Sequence, residues 1–270
     1  MLKTRIITAL ILAPLVVMAL LYLPPIPLGL VFAVVVLIAA WEWVGLLNAE
    51  PQEARLLRWL YPLLIAIAMV LAVMKALPIV VISFGAAFWV WGVSWLAFPD
   101  FGRDRNAANI LIKATAGVAV LVPTWIALLA LHGAPNNGPW LVLYAIAIAW
   151  VADTGAYFAG RRFGRVKLAP RISPGKTREG AYGAFILVAI YGGFGGWAFG
   201  ERGEGLLLFV LVTMLAAVAS IVGDLFESLF KRHAGIKDSS QLIPGHGGVL
   251  DRIDSLTAAL PVFAFGIAFL

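Results

Sequence analysis

The sequence predicts an all-α fold: a polytopic membrane bundle of about nine transmembrane helices, with the N-terminus in the cytoplasm. Hydrophobic residues make up 62% of the 270 positions and charged residues 13%, about half the charged share of an ordinary soluble domain. No water-soluble fold of this length can bury so much apolar surface, so a soluble domain and a disordered chain are excluded. The apolar residues also form runs of transmembrane length, with most basic residues between them.

The N-terminal part, residues 1–135, consists of apolar runs with few polar positions. A helix needs about 20 apolar residues to cross the hydrocarbon core, and each run approaches that length. The first run is too long for a secretory signal and has no small-residue cleavage site after it, so we expect it to remain as a helix. Only Lys75 and Ala76 separate the third run from the fourth, so one broken helix is the alternative there. The predicted spans are 6–23, 28–47, 59–74, 77–98 and 110–131.

The C-terminal part, residues 140–270, combines four further runs with two long polar loops, 160–180 and 227–249. The other connections are short, and no repeat or soluble domain is visible. We therefore expect a single integral membrane domain, 1–270, whose catalytic residues lie in the C-terminal helices and the two loops. The predicted spans of this part are 140–159, 181–199, 205–226 and 250–270.

Basic residues are distributed asymmetrically between alternate connections. With the N-terminus inside, sixteen Lys and Arg residues fall in inside segments and two in outside segments. This bias predicts a cytoplasmic N-terminus and places both polar loops in the cytoplasm. It also accounts for the net charge of +6 without nucleic acid as a partner. The simplicity and size of the chain suggest a bacterial inner membrane.

The residue types present limit the kinds of site. The chain has no cysteine, which excludes thiol nucleophiles and Cys-ligated metals, and three histidines are few for a histidine-built metal site. A bound metal would therefore be a hard cation held by oxygen. Acidic residues within the apolar runs are candidate ligands, because an ionised carboxylate at membrane depth is costly unless paired.

Two matching pairs of carboxylates flank the 227–249 loop. Asp224 and Glu227 are three residues apart, as are Asp251 and Asp254, so each pair shares one helix face. Because the loop joins the two spans, we expect the pairs to lie close together, and a divalent cation such as Mg²⁺ would relieve their repulsion. The alternative is ion pairing that serves topology alone. The basic residues near enough for such pairing are Lys231, Arg232 and Arg252.

The same loop contains features that suit a phosphate ligand. The run Pro244-Gly-His-Gly-Gly248 lets the backbone approach a ligand and present N–H groups, and the helix that follows directs its positive N-terminus to the same place. Together with the carboxylates, this run favours a Mg–polyphosphate site over a simple tight turn. His246 could be a ligand contact, a base or a hydrogen-bonded loop residue.

The 160–180 loop holds seven basic residues and one acid. We expect Arg161, Arg162 and Arg165 to face anionic headgroups. The compact stretch 173–177 immediately precedes a helix and resembles a phosphate cradle, but it lacks the spacing of a Walker A motif.

Three further features have more than one interpretation. Asp153 could contact a metal or a ribose, or pair with a loop arginine. Glu42, between two tryptophans, is interpreted as a buried, hydrogen-bonded acid. Gly192, Gly196 and Gly200 form small-xxx-small steps, which favour helix packing within the chain and leave a homodimer open.

The segment from Ser228 to Asp254 carries a recognisable pattern. Ser228-Leu-Phe-Lys-Arg is followed by Lys237-Asp and then by Pro244-Gly-His-Gly-Gly-Val-Leu-Asp-Arg-Ile-Asp254. This pattern resembles the signature of the phosphatidate cytidylyltransferases, also called CDP-diacylglycerol synthases. Residues 150–180 resemble the second polar region of that family, whereas the N-terminal half matches only as apolar helices.

The resemblance implies that CTP and phosphatidate react to give CDP-diacylglycerol and pyrophosphate, with one or two Mg²⁺ ions. Phosphatidate is already an anion, so positioning and charge neutralisation suffice without a strong base. Its acyl chains must enter sideways between helices.

The resemblance also implies roles for individual residues. Metal binding falls to Asp224 and Asp251, with Asp254 and Glu227 as second choices. Which loop binds which substrate stays open. The implied catalytic residues are Asp224, Asp251, Lys237 and Arg252, and the implied substrate contacts are Ser173, Lys176, Arg178, Lys231, His246, Gly247 and Gly248.

Two other functions are alternatives. A CTP-dependent lipid kinase of similar architecture would release CDP and phosphorylate a lipid alcohol. An anion transporter also uses intramembrane carboxylates, but here the polar residues gather at one face rather than at the midplane, and no inverted repeat is visible.

Overall fold

The computed structural model describes residues 2–135 and 137–270, and this part of the chain is an all-α bundle, as predicted. A 3₁₀ turn, Val44–Leu46, extends the second helix, and two short antiparallel strands, β1 (Lys167–Ala169) and β2 (Ser173–Thr177), form a hairpin. The helices are α1 Leu2–Tyr22, α2 Pro25–Trp43, α3 Pro51–Met74, α4 Pro78–Ala97, α5 Ala107–His132, α6 Gly138–Phe163, α7 Arg178–Ala198, α8 Gly203–His233 and α9 Leu250–Ile267.

Each predicted span corresponds to one of these helices. Residues 59–98 form two helices rather than one broken helix, because Ala76 adopts a left-handed conformation (φ 49°) and Pro78 begins α4. By length and hydropathy, α2 to α8 are seven candidate membrane spans. Within α1 the apolar stretch is shorter, Leu10–Tyr22, and α9 begins with a charged turn.

Helix α8 is longer than predicted and changes the loop that follows it. The predicted span ends at 226, but the helix continues to His233 and reaches 31 residues. At about 1.5 Å per residue it is longer than the roughly 30 Å hydrocarbon core. The prediction ended the span just before Glu227. In the structure, Glu227 and Lys231 are buried against α9, so these charges do not end the helix.

Four connections meet at one end of the bundle, which we call the polar end: 44–50, 98–106, 164–177 and 234–249. Arg105 bonds to Asn48 and Glu50, joining the first two connections. Arg171 bonds to Asp100, joining the second to the third. These are the connections that the charge bias assigns to the cytoplasm.

Close helix crossings place α6, α7, α8 and α9 side by side. A Cβ on Gly155 would lie 2.7 Å from the Gly183 carbonyl oxygen, so α6 and α7 approach at their backbones. Gly192 and Gly196 face α8, which confirms packing within the chain for these two residues. Gly200 instead ends the turn after α7 at φ 96°, with open space around it. A homodimer stays a prediction.

Proline in α9 frees a backbone carbonyl that two other helices satisfy. Pro261 has no N–H to donate to the Thr257 carbonyl one turn earlier. That oxygen accepts from Trp89 Nε1 at 3.2 Å and from Thr124 Oγ1 at 3.1 Å. These bonds fasten α4 and α5 to α9 and thereby support the helix that carries Asp251.

Candidate active site

An ion pair joins the third connection to α8. Lys176 Nζ, on β2, lies 2.6 Å from Asp224 Oδ2. The Glu179 carboxylate accepts from the backbone N–H groups of Arg165 and Val166, which holds the base of the hairpin. Arg232 Nε also donates to the Ile172 carbonyl. The predicted phosphate cradle therefore lies against the first carboxylate pair.

A buried lysine lies between the two carboxylate pairs. Lys231 Nζ lies 2.7 Å from Asp251 Oδ1 and 3.2 Å from Glu227 Oε1. All three side chains are buried. The Glu227 oxygens receive no well-aligned hydrogen bond from the described residues. Asp254 carries the remaining carboxylate of the second pair and lies near Asp224 and Glu227. The pairs are thus adjacent, as predicted, with Lys231 partly neutralising them.

The second oxygen of Asp251 is bound by the loop that precedes it. Asp251 Oδ2 accepts from Ser239 N at 2.9 Å, Ser239 Oγ at 3.0 Å and Gly248 N at 2.7 Å. A Cβ on Gly247, which has φ 84°, would lie 2.6 Å from the same oxygen. This carboxylate is therefore held tightly in one orientation.

The glycine-rich run forms a tight turn over the start of α9. Gly245 and Gly247 have positive φ, and the Ile243 N–H donates to the Gly247 carbonyl at 2.8 Å. His246 Nδ1 is buried and has no hydrogen-bond partner among the described residues. The Gly248 N–H is already donated to Asp251, so its direct contact with a phosphate stays a prediction.

A buried acid from the N-terminal half also bonds to this loop. Glu42, in the last turn of α2, accepts from Ser239, Ser240, Val249 and Leu250. Its carboxylate is 2% exposed. The interpretation of Glu42 as a buried, hydrogen-bonded acid is confirmed, but the sequence did not indicate that its partners belong to the active-site loop.

Exposed cations border the cluster. The side chains of Arg178, Lys237 and Arg252 are exposed and Ser173 is half-buried, so all four remain accessible to a ligand. Lys231 differs, because its ammonium is enclosed by two carboxylates. A direct substrate contact by Lys231 would require this pairing to open.

Two cavities lie on either side of a wall shared by Leu168, Ala181 and Ile221. The first, about 570 Å³, is mostly apolar and is bounded by α4, α7, α8 and Arg178. The second, about 360 Å³, contains Lys176 and Asp153. Asp153 therefore faces the candidate site, although its predicted alternatives, a metal or ribose contact and an arginine partner, stay open.

The donor set suits a hard divalent cation but forms no complete cage. Among the described residues, no three His, Cys, Asp or Glu side chains are gathered as a metal-binding group. Mg²⁺ commonly uses only one or two carboxylates with waters and substrate phosphates, so such a cage is not required. The buried carboxylate of Glu227, which is paired with Lys231 but receives no hydrogen bond from the described residues, is the observation that favours a cation here. These residues therefore fit a Mg²⁺ site in which substrate phosphates supply the remaining ligands.

Comparison with known proteins identifies the family. The sequence profile of the Cytidylyltransferase family matches residues 3–270. Phosphatidate cytidylyltransferase of Pseudomonas aeruginosa is 42% identical over 98% of this chain and 96% of its own length. The enzymes of the same name from Haemophilus influenzae and Thermotoga maritima are 35% and 34% identical, over 98% and 97% of this chain and 98% and 94% of their own lengths. The resemblance predicted from residues 228–254 is confirmed and extends through the N-terminal half, and the chain belongs to the Cytidylyltransferase family.

Proposed function

We propose that this protein is a phosphatidate cytidylyltransferase, which converts CTP and phosphatidate to CDP-diacylglycerol and pyrophosphate. The observation that carries the proposal is the carboxylate and lysine cluster at the polar end, beside a mostly apolar cavity. The names of the relatives support the reaction. Neither a lipid kinase nor an anion transporter is favoured by the site or by the comparisons.

The proposed chemistry is one displacement at phosphorus. A phosphatidate phosphate oxygen attacks the α-phosphorus of CTP, and the bond between that phosphorus and the oxygen bridging to the β-phosphate breaks. The bridging oxygen leaves with the pyrophosphate. Lys237 and Arg252 neutralise charge on the triphosphate, and the turn at His246 and Gly247 approaches it closely.

The lipid is proposed to occupy the cavity of about 570 Å³ between α4, α7 and α8. Its apolar wall suits acyl chains, and Arg178 at its edge suits the phosphate. Ser173 and Lys176, on the adjoining hairpin strand, complete the phosphate contacts. CTP is assigned to the 234–249 side, so the two substrates meet at Asp224.

A divalent cation, Mg²⁺, is proposed as cofactor. Bound there, it would withdraw charge from the phosphate oxygens. Asp224 and Asp251 are the first proposed ligands, with Glu227 and Asp254 next, and a second ion is part of the proposal. Lys231 and the Ser239 and Gly248 donors keep Asp251 ionised and oriented.

We also propose a bacterial inner-membrane location with the polar end in the cytoplasm. The sixteen basic residues of the inside segments support this orientation. CTP is a cytoplasmic metabolite, so a site at this end has direct access to it.

The test is turnover by the purified protein with phosphatidate and CTP labelled at the α-phosphate. We expect label in lipid when Mg²⁺ is present and none after chelation. Released labelled CDP would indicate a lipid kinase, and unchanged CTP with folded protein would contradict the proposal.

Arg178→Gln should raise the KM for phosphatidate, whereas Arg165→Gln, in the same loop but outside the cavity, should not.

A further inference from the structure

Glu42 belongs to the N-terminal half, yet all four of its hydrogen-bond donors lie in the segment 239–250. Val249 N donates to Oε1 at 3.0 Å and Leu250 N donates to Oε2 at 2.6 Å. The hydroxyls of Ser239 and Ser240 supply the other two bonds. These contacts span about two hundred residues of sequence, so only the folded bundle creates them.

The carboxylate caps the N-terminus of α9. The N-cap residue of that helix, Val249, has no side chain able to cap. The first N–H groups of a helix lack intrahelical partners and carry partial positive charge, which an anion stabilises. In the described residues no cation forms an ion pair with Glu42. Its charge is therefore balanced by this helix end and by hydroxyls.

Ser239 connects Glu42 to Asp251. Its hydroxyl lies 3.2 Å from Glu42 Oε2 and 3.0 Å from Asp251 Oδ2, so the two acids share its single hydrogen. Its N–H donates to the same Asp251 oxygen. Gly248 is enclosed between Glu42 and Ser239, because a Cβ there would lie 2.6 Å from Glu42 Oε1 and 2.1 Å from Ser239 Oγ. Its N–H donates to Asp251 Oδ2. A displacement of Glu42 would thus move both donors that orient Asp251.

We propose that Glu42 is a positioning residue: its carboxylate anchors the 239–250 segment and the first turn of α9, and through Ser239 and Gly248 it sets the orientation of Asp251. It touches neither substrate. The proposal depends on the proposed function only for its activity measurement.

The test compares Glu42→Gln with Tyr61→Phe as a matched control. The amide of Glu42→Gln keeps the shape but presents an NH₂ group to N–H donors. Tyr61→Phe removes a buried bond to the Ala114 carbonyl, from α3 to α5, without touching the loop. For Glu42→Gln we expect kcat to fall about tenfold or more, as is typical when a residue that orients a metal-binding side chain is replaced. The KM for phosphatidate should stay within about twofold of the parental value. Tyr61→Phe should retain the parental kcat.

Hydrogen exchange supplies a measurement that does not need activity. In Glu42→Gln the amides of Val249 and Leu250 should exchange about tenfold faster or more, while those in the middle of α2 stay unchanged. Parental kcat and parental exchange at these amides would overturn the proposal, as would a kcat loss no larger than that of Tyr61→Phe.

A second variant covers failure of Glu42→Gln to fold. Ser240→Ala removes one donor and leaves the carboxylate in place, so kcat should fall about threefold, in keeping with the modest worth of one hydrogen bond. An unchanged kcat would then overturn the proposal. If the parent protein transfers no cytidylyl group, the proposed function fails, while the exchange comparison still decides the role of Glu42.

Discussion

Lys176 Nζ lies 2.6 Å from Asp224 Oδ2, so the hairpin after α6 is joined to α8 by an ion pair whose lysine also lines the second cavity. This relationship connects the 160–180 loop to the first carboxylate pair, two features that the sequence identified separately. It places a cation where the phosphates of both substrates are proposed to meet.

Lys176→Met should lower kcat by about 100- to 1,000-fold, because one charged donor to the transferring phosphate is lost. The bundle should stay folded, since the pair is partly exposed and joins a loop to one helix end. Turnover and thermal unfolding measured together will check this. Lys167→Met, an exposed residue of β1, is the control, and equal losses in the two variants would contradict the assignment.

Asp251→Asn should leave the bundle folded and abolish turnover. The amide keeps the volume of the carboxylate but cannot accept Lys231 and three loop donors as an anion does. Asp238→Asn, exposed in the same loop, should retain activity. A folded and fully active Asp251→Asn protein would rule out the proposed metal role of this residue.

Lys231→Met should destabilise the protein by roughly 3–5 kcal/mol, because it leaves Glu227 and Asp251 as buried carboxylates without their cation. The free energy of unfolding in detergent measures the loss. Lys237→Met removes an exposed lysine from the same region and should change stability little. Parental stability of Lys231→Met would show that the buried acids are neutralised in another way.

Gly117→Ala should be strongly destabilising, whereas Gly193→Ala should not. A Cβ on Gly117 would lie 2.1 Å from the Tyr61 hydroxyl and 2.6 Å from Trp43 Nε1, so the contacts of α5 with α2 and α3 must shift. Gly193, also within a helix, has nothing within 4 Å of a new Cβ. Alanine there should raise the free energy of unfolding by about 0.5–1 kcal/mol. Similar unfolding temperatures for the two variants would contradict this packing.

Much of the fold was predictable because lipid imposes a simple rule on sequence. Each span needs a long apolar run, so every helix was found, and Lys75 with Pro78 marked the break between α3 and α4. The end of α8 was wrong by seven residues, from 226 to His233. Charged residues need not end a helix when other residues pair with them. Helix α8 continues past its charges because Lys231 pairs with Asp251 on α9.

For the candidate site, spacing of three residues predicted two carboxylate pairs on helix faces, and the structure brings those pairs together. The sequence named Lys231 as a possible partner of these acids, but it did not predict that Lys231 lies between the two pairs. It also did not predict that Asp153 faces the same cavity as Lys176. The signal for Asp153 was present, as an acid within an apolar run, but its orientation around the helix depends on how α6 packs against α7.

The sequence by itself determined that the chain folds in lipid, where its helices lie, which loops carry the polar residues and to which family it belongs. Local residue types suffice for these, because hydropathy, charge bias and a contiguous pattern need no knowledge of distant contacts. Only the tertiary structure decided that Glu42 caps α9 and that Lys176 joins Asp224. Such pairs lie far apart along the chain, and helix packing alone brings their atoms within hydrogen-bond distance.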